Sequence, residues 1–349
     1  MTPKSSSASL PASILPPSVV ERLNQQREHI EKGAFTSSFG VGEFLLSRAS
    51  GYESLGQVMG ATVFQIGTQW TSPLWRNNAT FQNNQTNPIW RKANLSPAQL
   101  QIQKLGAEME ITTHTAAYAN ARRTALSRLQ AEAALLGASG VAGVQLTMKT
   151  SRGASNTGAA SIEFVAIGTA VKSNRFRPQE KPFLSNLSGQ ELWQLESAGY
   201  LPCGFVGGNC SYYRALSLNT EGLLKGDLTR VDQETFDWAR KQGQVVASNF
   251  GNLSYGTTYW LNFEIPEYAE AVYTARELAI SRLEDEARAC GADGIVGLKV
   301  ELDENAHISV PANNVITPSI TFSFLALGTA IRRENQAPKS DISATINLK

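Results

Sequence analysis

Residues 275–298 read ARELAISRLEDEARACGADGIVGL, and residues 121–144 read ARRTALSRLQAEAALLGASGVAGV. The two stretches are offset by 154, need no gap, and are identical at 12 of 24 positions. An internal match at one fixed offset marks a duplicated structural unit. Val272, Ala275, Ala279, Leu283 and Ala287 recur three or four residues apart, as do Tyr118, Ala121, Ala125, Leu129 and Ala133. That spacing puts each set on one face of a helix, and the alanines let the helix lie close on a sheet. Pro266 suits a first helical turn, and Gly137 and Gly291 suit left-handed C-caps. Beyond the caps, Ala142, Val144, Leu146 and Met148 alternate with glycine or polar residues, as do Val296, Leu298, Val300 and Leu302. Period-two alternation predicts a strand with one buried face.

Working outward, a polar turn leads to a last strand, SIEFVAIGTAV at 161–171 and TFSFLALGTAI at 321–331. The offset is now 160, because the second hairpin loop is six residues longer. Asp303, Glu304 and His307 fall in that stretch and read as a solvated loop rather than an ion site. Upstream, EFLLSRASGYESLGQVMG from Glu43 matches ELWQLESAGYLPCGFVGG from Glu191 at an offset of 148. The Tyr-x-x-x-Gly-x-Val segment predicts a strand, with Gly56, Gly60, Gly204 and Gly208 at a tight turn or bulge. Variable inserts follow, with short helices expected from Pro97 and near 232–242. The organisation is therefore a disordered start with a short peripheral helical arm (1–42, the helix over 18–32), repeat one (43–172), a linker (173–190), repeat two (191–332) and a tail (333–349). The expected class is α+β: two repeated modules, each a long helix packed on a small, mainly antiparallel sheet, with inserts.

At 349 residues, 42% hydrophobic and 17% charged, the chain suits a soluble protein with two real cores. A formal net charge of +1 gives no global field for nucleic acid or an anionic membrane. No apolar run reaches the length of about 18 residues that a membrane helix needs. The opening MTPKSSSASLPASILPPSVV lacks the apolar core of a secretory signal, so a cytoplasmic location is expected. The three cysteines, an odd count confined to the second half, argue against a disulfide framework.

The last strand is apolar on both faces: Phe164 and Ala166 oppose Val165 and Ile167, and Phe322, Phe324 and Ala326 oppose Leu325 and Leu327. Such a strand must be covered on both sides. One long helix per repeat covers one side, so the other predicts repeat–repeat packing or self-association.

The order of strand, insert, Ala-rich helix, Cys/Leu-Gly-Ala-Asp/Ser-Gly-Val/Ile-x-Gly, hairpin and Gly-Thr-Ala-Val/Ile resembles the YbjQ-like family of bacterial proteins, labelled a heavy-metal-binding domain family. The resemblance is carried by 275–302 with LGTAI at 327–331, and by ARRTALSRLQAEAALLGASGVAGVQL with IGTAV. It implies a compact α+β module in ring-forming homo-oligomers, typically pentamers of single modules. A tandem chain makes either one ring of alternating repeats or two stacked rings. The resemblance implies no catalytic activity.

Cys203, Cys210 and Cys290 show no paired Cys/His spacing, and copy one has no cysteine, so no metal or other cofactor is expected. Charged positions shared by the copies are the better candidates. Glu110 and Glu264 precede the helices, Arg122, Arg128 and Glu132 within the first helix match Arg276, Arg282 and Glu286 within the second, and Arg128–Glu132 and Arg282–Glu286 have i, i+4 spacing. They read either as structural or inter-subunit ion pairs, or as an anion pocket at the repeat interface through Arg128 and Arg282. In the first insert Trp70, Trp75 and Trp90 lie among Asn, Gln and Thr, either as a partner-contact surface or as staples within the domain. No phosphate loop or nucleophile elbow is present. The leading expectation is a non-enzymatic self-assembling scaffold or adaptor whose inserts bind a protein partner; the alternative is a small-ligand or metal-binding protein with its site between repeats or subunits.

Overall fold

The computed structural model describes residues 15–31, 36–49, 51–66, 108–152, 160–173, 181–225, 231–242, 264–309 and 317–334. Trp70, Trp75, Trp90 and the helix expected from Pro97 lie outside the described residues.

Each long helix falls where its stripe puts it: α3 spans Thr112–Leu135 and α7 spans Pro266–Ala289. Tyr118, Ala121, Ala125, Leu129 and Ala133 are buried on α3, and Ala275, Ala279, Leu283 and Ala287 on α7, where Ala271 is buried in place of the expected Val272, which is half-buried. Both end as predicted. Gly137 (φ 75°) and Gly291 (φ 69°) adopt the left-handed conformation. Ala138 then bonds back to the Ala133 carbonyl at 3.0 Å and Ala292 to Ala287 at 3.1 Å.

Four strands hydrogen-bond in the order β1-β4-β3-β5 and four in the order β2-β6-β8-β7. In sheet one these are β1 (Tyr52–Ile66), β3 (Gly140–Arg152), β4 (Ala160–Ser173) and β5 (Phe183–Leu184). In sheet two they are β2 (Glu108–Glu110), β6 (Tyr200–Ala215), β7 (Gly294–Ser309) and β8 (Thr317–Arg333). The repeats exchange strands. β2, which leads into the repeat-one helix, pairs with β6. β5, inside the stretch read as a linker, pairs in parallel with β3.

Several details differ from the expectation. Bulges do occur, between Ser54 and Gly56 and between Pro202 and Gly204. Gly60 and Gly208, however, lie mid-strand under the helices. A Cβ at Gly60 would come within 2.0 Å of the Ala125 carbonyl oxygen, and one at Gly208 within 1.9 Å of that of Ala279. These glycines set the helix–sheet distance. The stretch holding Asp303, Glu304 and His307 continues as strand, paired with Ser323, Phe322 and Ser319, because β7 and β8 extend the hairpin where a loop was expected. Matching short helices, α2 (Val41–Ala49) and α4 (Gly189–Ser197), precede β1 and β6. α5 (Leu218–Lys225) and α6 (Gln233–Gln242) follow β6, the latter as expected. The N-terminal helix α1 (Pro17–Glu31) is no loose arm: Leu23 is 0% exposed and joins the repeat-one core.

The face of sheet two away from α7 is covered by repeat one. Phe205, Leu325 and Leu327 belong to one cluster with Leu126, Val144 and Leu146. Phe322 and Phe324 pack instead with Ala271, Ala275 and Ala279 of α7. The two-faced strand of repeat two therefore finds both covers inside one chain.

Candidate assembly interface

The contact between repeats is built from two ion-paired clamps on the edge of β6. In the first, Arg122 of α3 reaches Glu286 of α7 through both terminal nitrogens, at 2.6 and 3.1 Å, and donates to the Gly207 carbonyl at 2.7 Å. The Gly207 N–H donates to the same Glu286 carboxylate at 2.9 Å. In the second, Arg282 of α7 donates to the Asn209 carbonyl at 2.8 Å and to Glu110 of β2 at 2.9 Å. Thr115 completes the seam, its hydroxyl accepting from the Ser211 N–H at 3.0 Å and its carbonyl from the Asn209 amide at 2.8 Å. An edge strand presents bare backbone groups, and here α7 and the neighbouring repeat satisfy them together.

Burial pushes the Glu110 carboxyl up, but hydrogen bonds from Arg282 and Thr115 with the Arg282 charge outweigh it, leaving the group below the ordinary glutamate value. Between α3 and α7 lies an open cavity of about 430 Å³ lined by Glu110, Arg122, Arg123, Arg282, Asp285 and Glu286 among others. Its charges are balanced, and Arg122 and Arg282 already hold carboxylates.

Of the residues singled out from sequence, Glu110 and Arg282 are brought together. Arg128 and Glu264 are not with them: Arg128 donates to the Ala61 carbonyl at the β1 edge, and Glu264 is exposed ahead of α7. The i, i+4 pairings do not form, because the helix arginines turn to backbone carbonyls of the strand edge. Glu132 instead pairs with Arg22 of α1 at 3.2 Å and accepts from the Met59 N–H at 2.9 Å. Burial raises the pKa of Glu132. Arg122 and Glu286 both stand among the charged positions shared by the copies, but their pairing with each other across the repeats has no signal in the spacing.

Cys210 is buried, Cys203 half-buried and Cys290 exposed. Burial raises all three thiols, Cys210 to about 12. Among the described residues no group of three or more His, Cys, Asp or Glu could hold a metal ion. Nor is any helix among them long and apolar enough to cross a membrane.

The geometry defines a tandem α+β repeat protein joined by a head-to-tail contact. The profile of the YbjQ family, described as "Putative heavy-metal-binding", matches residues 102–174 and 243–334, so each repeat's helix and hairpin are covered. The chain is 31% identical over 327 residues to the "Encapsulin nanocompartment protein Rv1762c" of Mycobacterium tuberculosis, covering 92% of this chain and 93% of that one. It is 34% identical over 80 residues to a UPF0145 protein of Clostridium perfringens, covering 23% of this chain and 61% of that one. No solved structure matches. The chain belongs to the YbjQ family, as two copies in tandem.

Proposed function

We propose that this protein is a cytoplasmic, non-enzymatic scaffold that self-assembles through its YbjQ modules and binds a protein partner through its inserts. One observation carries the reading. Val144 and Leu146, on β3, are 1% and 8% exposed because repeat two helps to cover them, while their counterparts Leu298 and Val300, on β7, are 52% and 47% exposed. Leu302 is bare beside them at 41%. Contiguous apolar surface of this kind marks a protein contact. The Mycobacterium tuberculosis relative is named for a nanocompartment, which supports an assembly role. If chains join by the same contact that joins the repeats, the ring alternates repeats and holds an even number of modules.

Native mass spectrometry of the full chain tests the reading. A defined oligomer is expected; a monomer at micromolar concentration would remove the scaffold. For the inserts, changing Trp75 and Trp90 to Ala is expected to abolish partner capture and leave assembly intact. A second reading, a small anion in the inter-repeat cavity, is favoured by Arg123 at its wall. Inorganic phosphate would then raise the melting temperature of the parent but not of Arg123→Ala.

A further inference from the structure

We infer that chains join head to tail by a second use of the contact between their own repeats, Arg276 of one copy displacing Arg22 from Glu132 of the next while Glu264 engages Arg128. This rests on the self-assembly proposed above and names its surfaces and its partner, a second copy of this chain.

The inference comes from laying one repeat on the other. At the offset of 154, Arg276 corresponds to Arg122, Glu264 to Glu110, Arg128 to Arg282 and Glu132 to Glu286; at 148, Met59 and Ala61 correspond to Gly207 and Asn209. In repeat two every group of the receiving site is filled. In repeat one its inner half is already formed in the same way: Glu132 accepts from the Met59 N–H as Glu286 does from Gly207. Arg128 donates to the Ala61 carbonyl as Arg282 does to Asn209. What repeat one lacks is the outer half. Arg128 meets no carboxylate among the described residues, although its counterpart holds Glu110.

The missing groups stand at the opposite end of the chain. The Arg276 side chain is 52% exposed, and the carboxylate recorded beside it is that of its own neighbour Glu277, at 3.7 Å. Glu264 is exposed. Around them Leu298, Val300 and Leu302 are bare, as is Tyr273 at 63%. The receiving face is equally incomplete. Met59 and Val63 are 46% and 69% exposed, and Val165 and Ile167 are half-buried. Cross-strand pairing of Met59 with Ile167 and Ala61 with Val165 puts this surface on one side of sheet one. The corresponding positions of sheet two, Leu325 and Leu327, are 1% and 3% exposed under repeat one.

Arg22 is a weak incumbent. It touches Glu132 through one nitrogen at 3.2 and 3.3 Å, with 51% of the arginine and 3% of the carboxylate side chain exposed, whereas Arg122 grips Glu286 through two nitrogens, with 3% and 38% exposed. Exchanging a single-nitrogen contact for a bidentate one favours the neighbour. A heterologous contact of this kind closes into a ring when its rotation permits.

The test is the association of the full chain, followed by sedimentation and native mass spectrometry. Arg276→Glu and Glu264→Arg each set like charges face to face and are expected to weaken association at least about tenfold. Both side chains are exposed, so melting transitions are expected to match the parent. Glu264→Arg combined with Arg128→Glu is expected to recover association. Arg22→Ala is expected to tighten it several-fold, and an unchanged value would overturn the displacement. If the parent assembles and both single reversals leave it unaffected, chains join elsewhere and only this interface falls. If the parent and Arg22→Ala both stay monomeric, self-assembly itself falls.

Discussion

At the scale of single residues, the fold turns on positions where no larger side chain fits. Gly60 and Gly208 are such positions, because the atoms their Cβ would strike are backbone of α3 and α7, which cannot swing aside as a side chain can. Gly208→Ala should push the helix off the sheet and cost about 1–3 kcal/mol, read as a shift in the urea midpoint at constant slope. Arg122→Ala leaves the Glu286 carboxylate and the Gly207 carbonyl without their shared partner. A fully buried pair broken in this way costs roughly 3–5 kcal/mol. Glu286 keeps 38% side-chain exposure, so the expected loss is smaller, about 2 kcal/mol. Glu196 gives a pH signature. Burial, with Glu334 nearby, raises its carboxyl to about 7, while the Tyr52 hydroxyl of β1 donates to it. Between the ordinary value of 4.5 and about 7 the native state holds a proton that the unfolded chain has released. This group's contribution is therefore full below that window and is lost as pH rises through it. Glu196→Gln should flatten that slope in unfolding curves taken at about pH 5 and about pH 8.

At the scale of elements, what the sequence showed was what repeats and what alternates. The helix stripes, their glycine caps and the β3 alternation are local signals and form as read; β7 forms as a strand, but Leu298, Val300 and Leu302, expected on its buried face, are exposed. The short helices before β1 and β6 were passed over, although one carries a clear mark. Ser188 and Glu191 are spaced as a capping box, and the structure forms it, with Ser188 accepting from the Glu191 N–H and Glu191 accepting from the Ser188 N–H. Ser188→Ala should cost about 1 kcal/mol and fray α4, seen as faster amide exchange over Gly189–Ser197. The β7 extension was illegible for a different reason. Asp303, Glu304 and His307 look like loop residues, but pairing with β8 overrides their weak strand preference. The site was half legible. Glu110 and Arg282 stood out because they recur, yet no periodicity tells an arginine which repeat its partner sits on. That depends on strand exchange, a tertiary fact. Pairing within one helix was the local guess, and the unmet carbonyls of the β6 edge defeated it.

At the scale of the molecule, the two copies have diverged in surroundings more than in sequence. α3 buries Arg122, Leu126 and Ala131 besides its apolar stripe, while the buried residues of α7 are Ala271, Ala275, Ala279, Leu283 and Ala287. Helix α3 is thus covered on two sides and α7 on one, while sheet two is covered on both faces and sheet one leaves Met59 and Val63 bare. Repeat arrays behave in this way, their stability residing in the contacts between neighbours as much as in each unit. The consequence for repeat one is specific. Without the residues beyond Ser173 it would lose β5 from the β3 edge, the cover of Val144 and Leu146, and the carboxylate that holds Arg122. A chain ending at Ser173 should therefore lack a cooperative melting transition and bind a hydrophobic dye, since it exposes core surface and an open strand edge together. Adding the remainder, residues 174–349, as a separate polypeptide should restore the transition, because the β2–β6 and β3–β5 pairings need no covalent link. A truncated chain that melts sharply and binds no dye would show that repeat one seals its own core, and the argument from the bare face of repeat two would go with it.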